Sequence, residues 1–469
     1  MQKIFELKDN HWQIDAITLN TVTDNHDDVV SVKTVYVFKN FSAEVSGNIF
    51  IFRGLKETRS IITFSADYQI PTLFVKEMGV YFKEDDFEYV CIDGDENAVR
   101  RYLMRYAPEK LIAMSNTWGD CNGFSRVNSH FVKREIDASA KIGLDAAQID
   151  DGWQRGKTND RSIFDERGMR RFEGDFWEVD ENTFPQGLEE MRDYAKTKNI
   201  SLGLWFAPDF HENFAHYERD LGVLRNAFEK EDFRFFKIDM LLIKNREDKN
   251  KFAQFLEEVG SFASVELDVT NNQRMGYLLS MKYGIIFLEN RYTKTGNYQP
   301  CRTLKNLWEL SRYIPASTLQ CELANPDLNK EVYGDDPLRP SAYTMDYLFA
   351  TVMLSNPLFW METQFLSEER IKELNNLLPL WKELRNEIVK AEIVPIGQKP
   401  TGASFTGFKI GDKYALLFRE DNEEDGFDFK IGEFTVLKSN FEVAYKENKA
   451  VFSEKNCYAF VKIGEKNED

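Results

Sequence analysis

The chain is poor in the residues that announce a metalloprotein, a disulfide scaffold or a membrane span. Its 469 residues include only five histidines and five cysteines. The histidines form no H-E-x-x-H pattern, and His211 and His216 are too loosely spaced to share one helical face, so no metal site is legible. The cysteines (Cys91, Cys121, Cys301, Cys321 and Cys457) are odd in number and scattered, which favours thiols in a reducing, cytoplasmic setting over a disulfide framework. No run approaches the ~18 apolar residues of a membrane helix. The opening residues, Met1-Gln-Lys-Ile-Phe-Glu-Leu-Lys-Asp9, are too polar for a secretory leader. Positive charge is in deficit: 60 Lys and Arg face 78 Asp and Glu, a formal net charge of −18. Nucleic acid and anionic membranes are therefore not expected partners, because a polyanion needs clustered cations. No glycine-rich phosphate turn is present, which argues against a doubly wound nucleotide-binding sheet.

Length sets the organisation. At ~100–200 residues per domain, two or three domains are expected. Residues 29–38, 41–52, 59–64 and 72–82 are short β-rich runs between polar turns, predicting an N-terminal β domain over residues 1–105. Beyond residue 111 the pattern becomes strand, loop, helix. Candidate strands fall at 111–116, 144–149, 200–206, 233–238, 263–267, 284–288, 318–322 and 358–361. Helical spacing fills 129–141, 188–198, 248–260, 273–283, 304–313, 343–354 and 368–389. The eight strands predict an α/β fold, a closed (β/α)8 TIM barrel over residues 106–390. Runs at 413–419, 427–431 and 458–463 predict a C-terminal β-sandwich over residues 391–469.

The predicted strand ends carry charge where an apolar strand would not keep it without a reason. The first ends at Asn116-Thr-Trp-Gly119, the second at Asp150-Asp-Gly-Trp153, the third at Gly203-Leu-Trp-Phe-Ala-Pro-Asp209. The next three end at Lys237-Ile-Asp239, Glu266-Leu-Asp268 and Glu289-Asn-Arg291. In a parallel barrel this rim is where an active site is built. Carboxylates and Lys hold hydroxyls by charge-assisted hydrogen bonds, while the indoles of Trp118, Trp153 and Trp205 can pack on the C–H face of a pyranose. Paired carboxyls are what glycoside hydrolysis requires. The plainer alternatives are a helix N-cap for Asp239, an ion pair with Arg291 or Arg302 for Glu289, and ordinary core packing for the indoles.

Over residues 113–315 the chain resembles the α-galactosidases of glycoside hydrolase family 36 and its clan. Asp150-Asp-Gly-Trp153 with Phe184-Pro-Gln-Gly-Leu188 is similar to the family's D-D-G-W … F-P-x-G-L, and Phe236-Lys-Ile-Asp-Met240 to its K-W-D-M. Gly203-Leu-Trp-Phe-Ala-Pro-Asp209 is similar to G-x-W-F-E-P-E, with Ala207 in place of a Glu. The resemblance implies a retaining exo-α-glycosidase with Asp239 as nucleophile and Lys237, Asp150 and Asp151 on sugar hydroxyls. The family's S-D-N has no counterpart; Glu289 and Asn290 occupy that strand end, so Glu289 is the expected acid/base and Asp268 its rival. Val265-Glu-Leu-Asp-Val-Thr-Asn-Asn-Gln-Arg274 keeps the family's Glu and Arg at Glu266 and Arg274 but loses its Cys and glycines. Arg302 is expected on sugar hydroxyls or on the acid/base. The implied substrate is a small or oligosaccharide α-glycoside, with no metal or cofactor. An α-N-acetylgalactosaminidase, a transglycosylase and a catalytically silent sugar-binding protein are the alternatives. Relatives often assemble through their β domains, so a homo-oligomer is among the expected partners.

Overall fold

The structure, a computed structural model, describes residues 3–21, 28–84, 86–120, 126–164, 170–270, 274–287 and 291–464. Eight parallel strands close into a barrel: Met114–Asn116, Ala146–Ile149, Ser201–Phe206, Phe233–Ile238, Ser264–Asp268, Ile285–Phe287, Leu319–Leu323 and Asn356–Phe359. The ring is sealed where Met114 and Ser115 pair with Leu358 and Phe359 of the last strand.

Antiparallel sheets stand before and after the barrel. The run Ile49-Phe-Ile-Phe52 is apolar without alternation because its strand, Ile49–Arg53, is buried on both faces. Phe50 and Phe52 pack with Trp12, Ile14, Val75 and Val80 inside the N-terminal sandwich, whereas Ile49 and Ile51 join the core that continues into the barrel. The C-terminal strands repeat the device. Leu417 of Tyr414–Arg419 packs with Phe405, Phe452 and Val461 in a local core, while Leu416 and Phe418 face the barrel side. Fully burying such side chains contributes about 1.5–3 kcal/mol each, so both β layers are welded to the barrel.

Two helical expectations are corrected. The pattern at 273–283 gives only the short helix Tyr277–Ser280, which starts after Gly276 at φ 70°. The pattern at 368–389 is two helices, Glu368–Leu374 and Leu378–Ile388, because Pro379 lacks an amide N–H and can sit only in a first turn. Helix Tyr217–Glu231, which buries Leu221, Leu224 and Ala227, had no counterpart in the sequence reading. No helix among the described residues is long and apolar enough to cross a membrane. None of Cys91, Cys301, Cys321 and Cys457 is joined in a disulfide, and Cys121 lies outside the described residues.

The barrel interior below the strand ends is polar. Asn116 donates to the Gln148 carbonyl at 2.6 Å, and the Gln148 amide donates to Glu266 at 2.8 Å. Gly203 makes room for this chain, since a Cβ there would stand 3.2 Å from the Gln148 side chain. Burial pushes the Glu266 carboxyl up to about 7, against the hydrogen bond from Gln148 and the Lys237 charge. An unfolded Glu titrates at about 4.3, so this group costs stability progressively as pH rises from there through about 7. Glu266→Gln is therefore expected to gain on the order of 2 kcal/mol relative to the native chain between pH 5 and pH 8. Denaturant unfolding at both pH values checks this; an offset that does not change with pH would refute it.

Candidate active site

Strand pleating places alternate residues on one face, so Lys237 with Asp239 and Glu266 with Asp268 point into the barrel together. The register makes them neighbours: Lys237 lies opposite both Trp205 and Glu266. One step higher, at the strand ends, a cavity of about 440 Å³ opens. Trp118, Asp150, Asp151, Trp205, Lys237, Asp239, Asp268 and Arg274 all line it, drawn from the first five barrel strands and the loops that leave them. Two glycines allow the convergence. A Cβ on Gly119 would lie 2.0 Å from the Trp360 carbonyl carbon, and Gly152, at φ 121°, turns the chain directly after the paired acids.

Lys237 is the electrostatic centre. Its buried ammonium donates to Asp150 at 3.0 Å and stands 3.9 Å from Asp239. It also lies 4.9 Å from the Trp360 ring centre, an aromatic face that stabilises the desolvated cation. Asp150 takes a further hydrogen bond from Asn116 at 2.7 Å. Asp151 is held by Gln154 at 2.6 Å and by the Thr158 hydroxyl. Burial pushes the Asp151 carboxyl up to about 6, against those two bonds, and the charges of Asp150 and Asp239 add to the rise.

Asp239 keeps 19% of its side-chain exposure and lines the cavity. The Trp205 indole donates to it at 3.0 Å, and the Met240 amide at 2.5 Å. Met240 adopts φ 53°, an uncommon conformation for a side-chain-bearing residue, and one that turns its N–H back onto the carboxylate. Enclosure alone would raise Asp239, but the Lys237 charge, a hydrogen bond from Asp268, Arg274 and the Trp205 N–H hold it well below the usual carboxylate range. Asp268 moves the other way: burial and the adjacent Asp239 charge push it up, so it keeps the proton that it donates to Asp239. The two acids thus carry one proton between them.

Other expected site residues lie elsewhere. Trp153 does not line the cavity; its buried ring stacks on Trp177 with centres 5.8 Å apart and donates to the Trp205 carbonyl at 3.0 Å. It braces the wall from behind, so the expectation that it packs on a sugar is corrected. Arg302 sits in the first turn of helix Pro300–Leu310 and is not among the cavity-lining residues. Glu289 lies outside the described residues. Asp209, at the third strand end, is taken by Arg219 at 2.9 Å. Conversely, Arg170, Phe287, Tyr292 and Trp360 line the cavity without having been read from the sequence. Trp360 follows the last barrel strand and could have been found by reading that strand end as the others were; Arg170 sits in a loop without a pattern. On the same loop as Asp209, left-handed backbone at Glu212, Asn213 and Phe214 brings ligand atoms of His211, Glu212 and His216 within 4.8 Å of one another. The expectation that His211 and His216 are too loosely spaced to share one helical face considered helical spacing alone.

The barrel and its carboxylate-lined mouth define a (β/α)8 protein with a polar cavity at its strand ends. Part of the chain is similar in sequence to α-galactosidases, and its fold is similar to theirs. Residues 96–230 match the sequence model of the family described as Melibiase. The chain is 27% identical over 112 residues to an α-galactosidase of Escherichia coli, covering 24% of this chain and 14% of that protein. It is 33% identical over 82 residues to α-galactosidase Mel36A of Lactobacillus acidophilus, covering 18% and 10% respectively. In structure, the family 36 α-galactosidase AgaA of Geobacillus stearothermophilus, solved with raffinose, superposes with a TM-score of 0.66 at 12% identity, over 97% of this chain and 75% of that one. The Lactobacillus brevis α-galactosidase gives 0.64 at 10% identity, over 99% and 75%. The sequence matches therefore span 14% or less of the curated relatives' length, while the fold is shared almost throughout.

Proposed function

We propose that this protein hydrolyses terminal α-galactosides with net retention through a covalent glycosyl-aspartate. The observation that carries the reading is Asp239: an ionised carboxylate at a barrel strand end, held by Lys237, Trp205 and Met240, and open to a sugar-sized cavity. Asp239 attacks the anomeric carbon while an acid protonates the departing oxygen; that same group, now a base, takes a proton from the water that releases the sugar. Asp150 and Asp151 accept from sugar hydroxyls, and Trp118 or Trp205 lies against the ring. The solved relatives include complexes with raffinose and stachyose, so galactosyl-terminated oligosaccharides are the substrates to try first. A cytoplasmic setting, in keeping with cysteines that form no disulfide among the described residues, completes the reading.

We assign the acid/base to Glu289 from its sequence position, two residues after the sixth strand Ile285–Phe287. Asp268 is the second reading, favoured by its retained proton beside Asp239. A carboxyl hydrogen-bonded to the nucleophile is nearer than the ~5–5.5 Å that a retaining pair needs for the glycosidic bond, which places Asp268 better on the proton and on the ring than on the leaving group. The expected result is that Glu289→Ala slows glycosides with poor leaving groups by about 10²–10⁴-fold, far more than activated aryl glycosides. Added azide should rescue it and give the α-glycosyl azide. If Asp268→Asn shows this leaving-group dependence and Glu289→Ala does not, the two roles exchange. Turnover of an aryl α-galactoside followed by NMR of the first-formed anomer tests the function itself: β-sugar first, or no turnover, contradicts it.

A further inference from the structure

The cations of the cavity are not alike. Lys237 is committed to Asp150 and Asp239. Arg274 is committed to backbone, through the Thr270 carbonyl at 2.6 Å and the Leu241 carbonyl. Arg170 lines the same cavity, yet its Nε is sealed from solvent and has no hydrogen-bond partner among the described residues. Its guanidinium is steadied instead by a ring, with its central carbon 5.0 Å from the centre of Phe164. Stacking fixes the plane of an arginine and leaves its in-plane N–H groups to meet a ligand edge-on. A half-buried guanidinium whose Nε meets no acceptor among the described residues is costly unless its other N–H groups are well satisfied.

Sugar hydroxyls could accept single hydrogen bonds from Arg170, but they bring no charge. The carboxylates whose charges act on Arg170 are already engaged: Asp151 by Gln154 and Thr158, and Asp239 by Trp205 and Met240. Burial holds the Arg170 guanidinium below its ordinary value, and the Asp239 charge does not make up the difference. The group that matches a stacked, planar, five-donor cation is a planar or tetrahedral oxyanion able to take two parallel N–H bonds.

Resting on the proposed glycosidase reading, we infer that the sugar accepted here carries an acid group, and that Arg170 is the specificity-determining residue that receives it. A uronic carboxylate and a sulfate ester at the outer carbon of the hexose offer the same oxyanion chemistry. Lys237, Arg170 and Arg274 offset Asp150, Asp151 and the singly protonated Asp239–Asp268 pair, so an arriving oxyanion meets no net negative charge from these groups.

The test compares kcat/KM for an aryl α-galactoside, the matching α-galacturonide and the 6-sulfated α-galactoside, in the native chain, Arg170→Gln and Arg170→Lys. The expected result is that at least one acidic glycoside exceeds the neutral one. Arg170→Gln should then lose about 10²-fold more on the acidic substrate than on the neutral one, and Arg170→Lys should recover part of that difference. Equal losses on both kinds of substrate, or a native chain that prefers the neutral glycoside, overturns the inference. Calorimetric binding of galacturonate and galactose to the native chain and to Arg170→Lys gives a readout that does not need turnover. Tighter, Arg170-dependent binding of galacturonate without hydrolysis of any glycoside would sustain the inference and sink the glycosidase reading. Hydrolysis of the neutral glycoside with no preference for galacturonate would do the reverse. Thermal unfolding of each variant shows whether a loss is only a folding defect, in which case the calorimetric comparison of the two sugars on the native chain decides.

Discussion

Asp239→Asn is expected to lower kcat/KM for an aryl α-galactoside by on the order of 10⁴-fold or more. The substitution changes charge and nucleophilicity while keeping shape. The amide oxygen can still accept from Trp205 and from the Met240 amide, which now meet the carboxylate at 3.0 and 2.5 Å. Lys237 retains Asp150 as partner at 3.0 Å, so no buried ammonium is stranded. The variant should therefore fold with close to native stability. One secondary change follows: without an anion beside it, Asp268 loses the contribution of Asp239 to its raised affinity for a proton and titrates at lower pH. Steady-state kinetics with unfolding measurements check the pair of claims. A variant that keeps substantial activity removes Asp239 from the reaction; one that fails to fold makes the residue structural.

Lys237→Met should have the largest effect on stability. Lys237 and Asp150 are both almost fully buried, and the ammonium also supplies the leading favourable influence on Asp239. Removing one member of such a cluster leaves its partners desolvated without a counter-charge, at a cost of about 3–5 kcal/mol. The pH dependence carries its own sign. Lys237 helps hold Asp239 below the usual range, so its loss raises that group and moves the acid limb of kcat/KM upward, toward neutral pH. Chemical denaturation and a pH–rate profile of the residual activity measure the two effects. A stable variant with an unshifted acid limb would show that the ammonium is not the counter-charge of the site.

The barrel was legible because its strands are short apolar runs that stop abruptly at charge. Phe233–Ile238 reads directly into Asp239, and Ala146–Ile149 into Asp150 and Asp151, so fold and site were signalled by the same residues. What escaped notice depends on packing between distant segments. Whether an indole faces a cavity or a core is decided by its neighbours: Trp205 opens into the site, whereas Trp153, of identical chemistry, is trapped against Trp177. Arg170 belongs to a stretch of sequence without periodicity, and only the folded chain sets it in the same cavity as Asp239. Tyr292 reaches the site through a hydrogen bond from Trp118 at 3.1 Å, a contact across 174 positions of sequence. Leu307, within helix Pro300–Leu310, illustrates the converse: helical spacing there was enough to predict a buried face.

The most direct test of the account is to trap the intermediate. A slow fluorinated α-galactosyl donor, mixed with the protein and followed by peptide mass spectrometry, should leave one galactosyl group on the peptide containing Phe236-Lys-Ile-Asp-Met240, attached to Asp239. Labelling of Asp268, of Glu289 or of no carboxylate while the donor is consumed would contradict it.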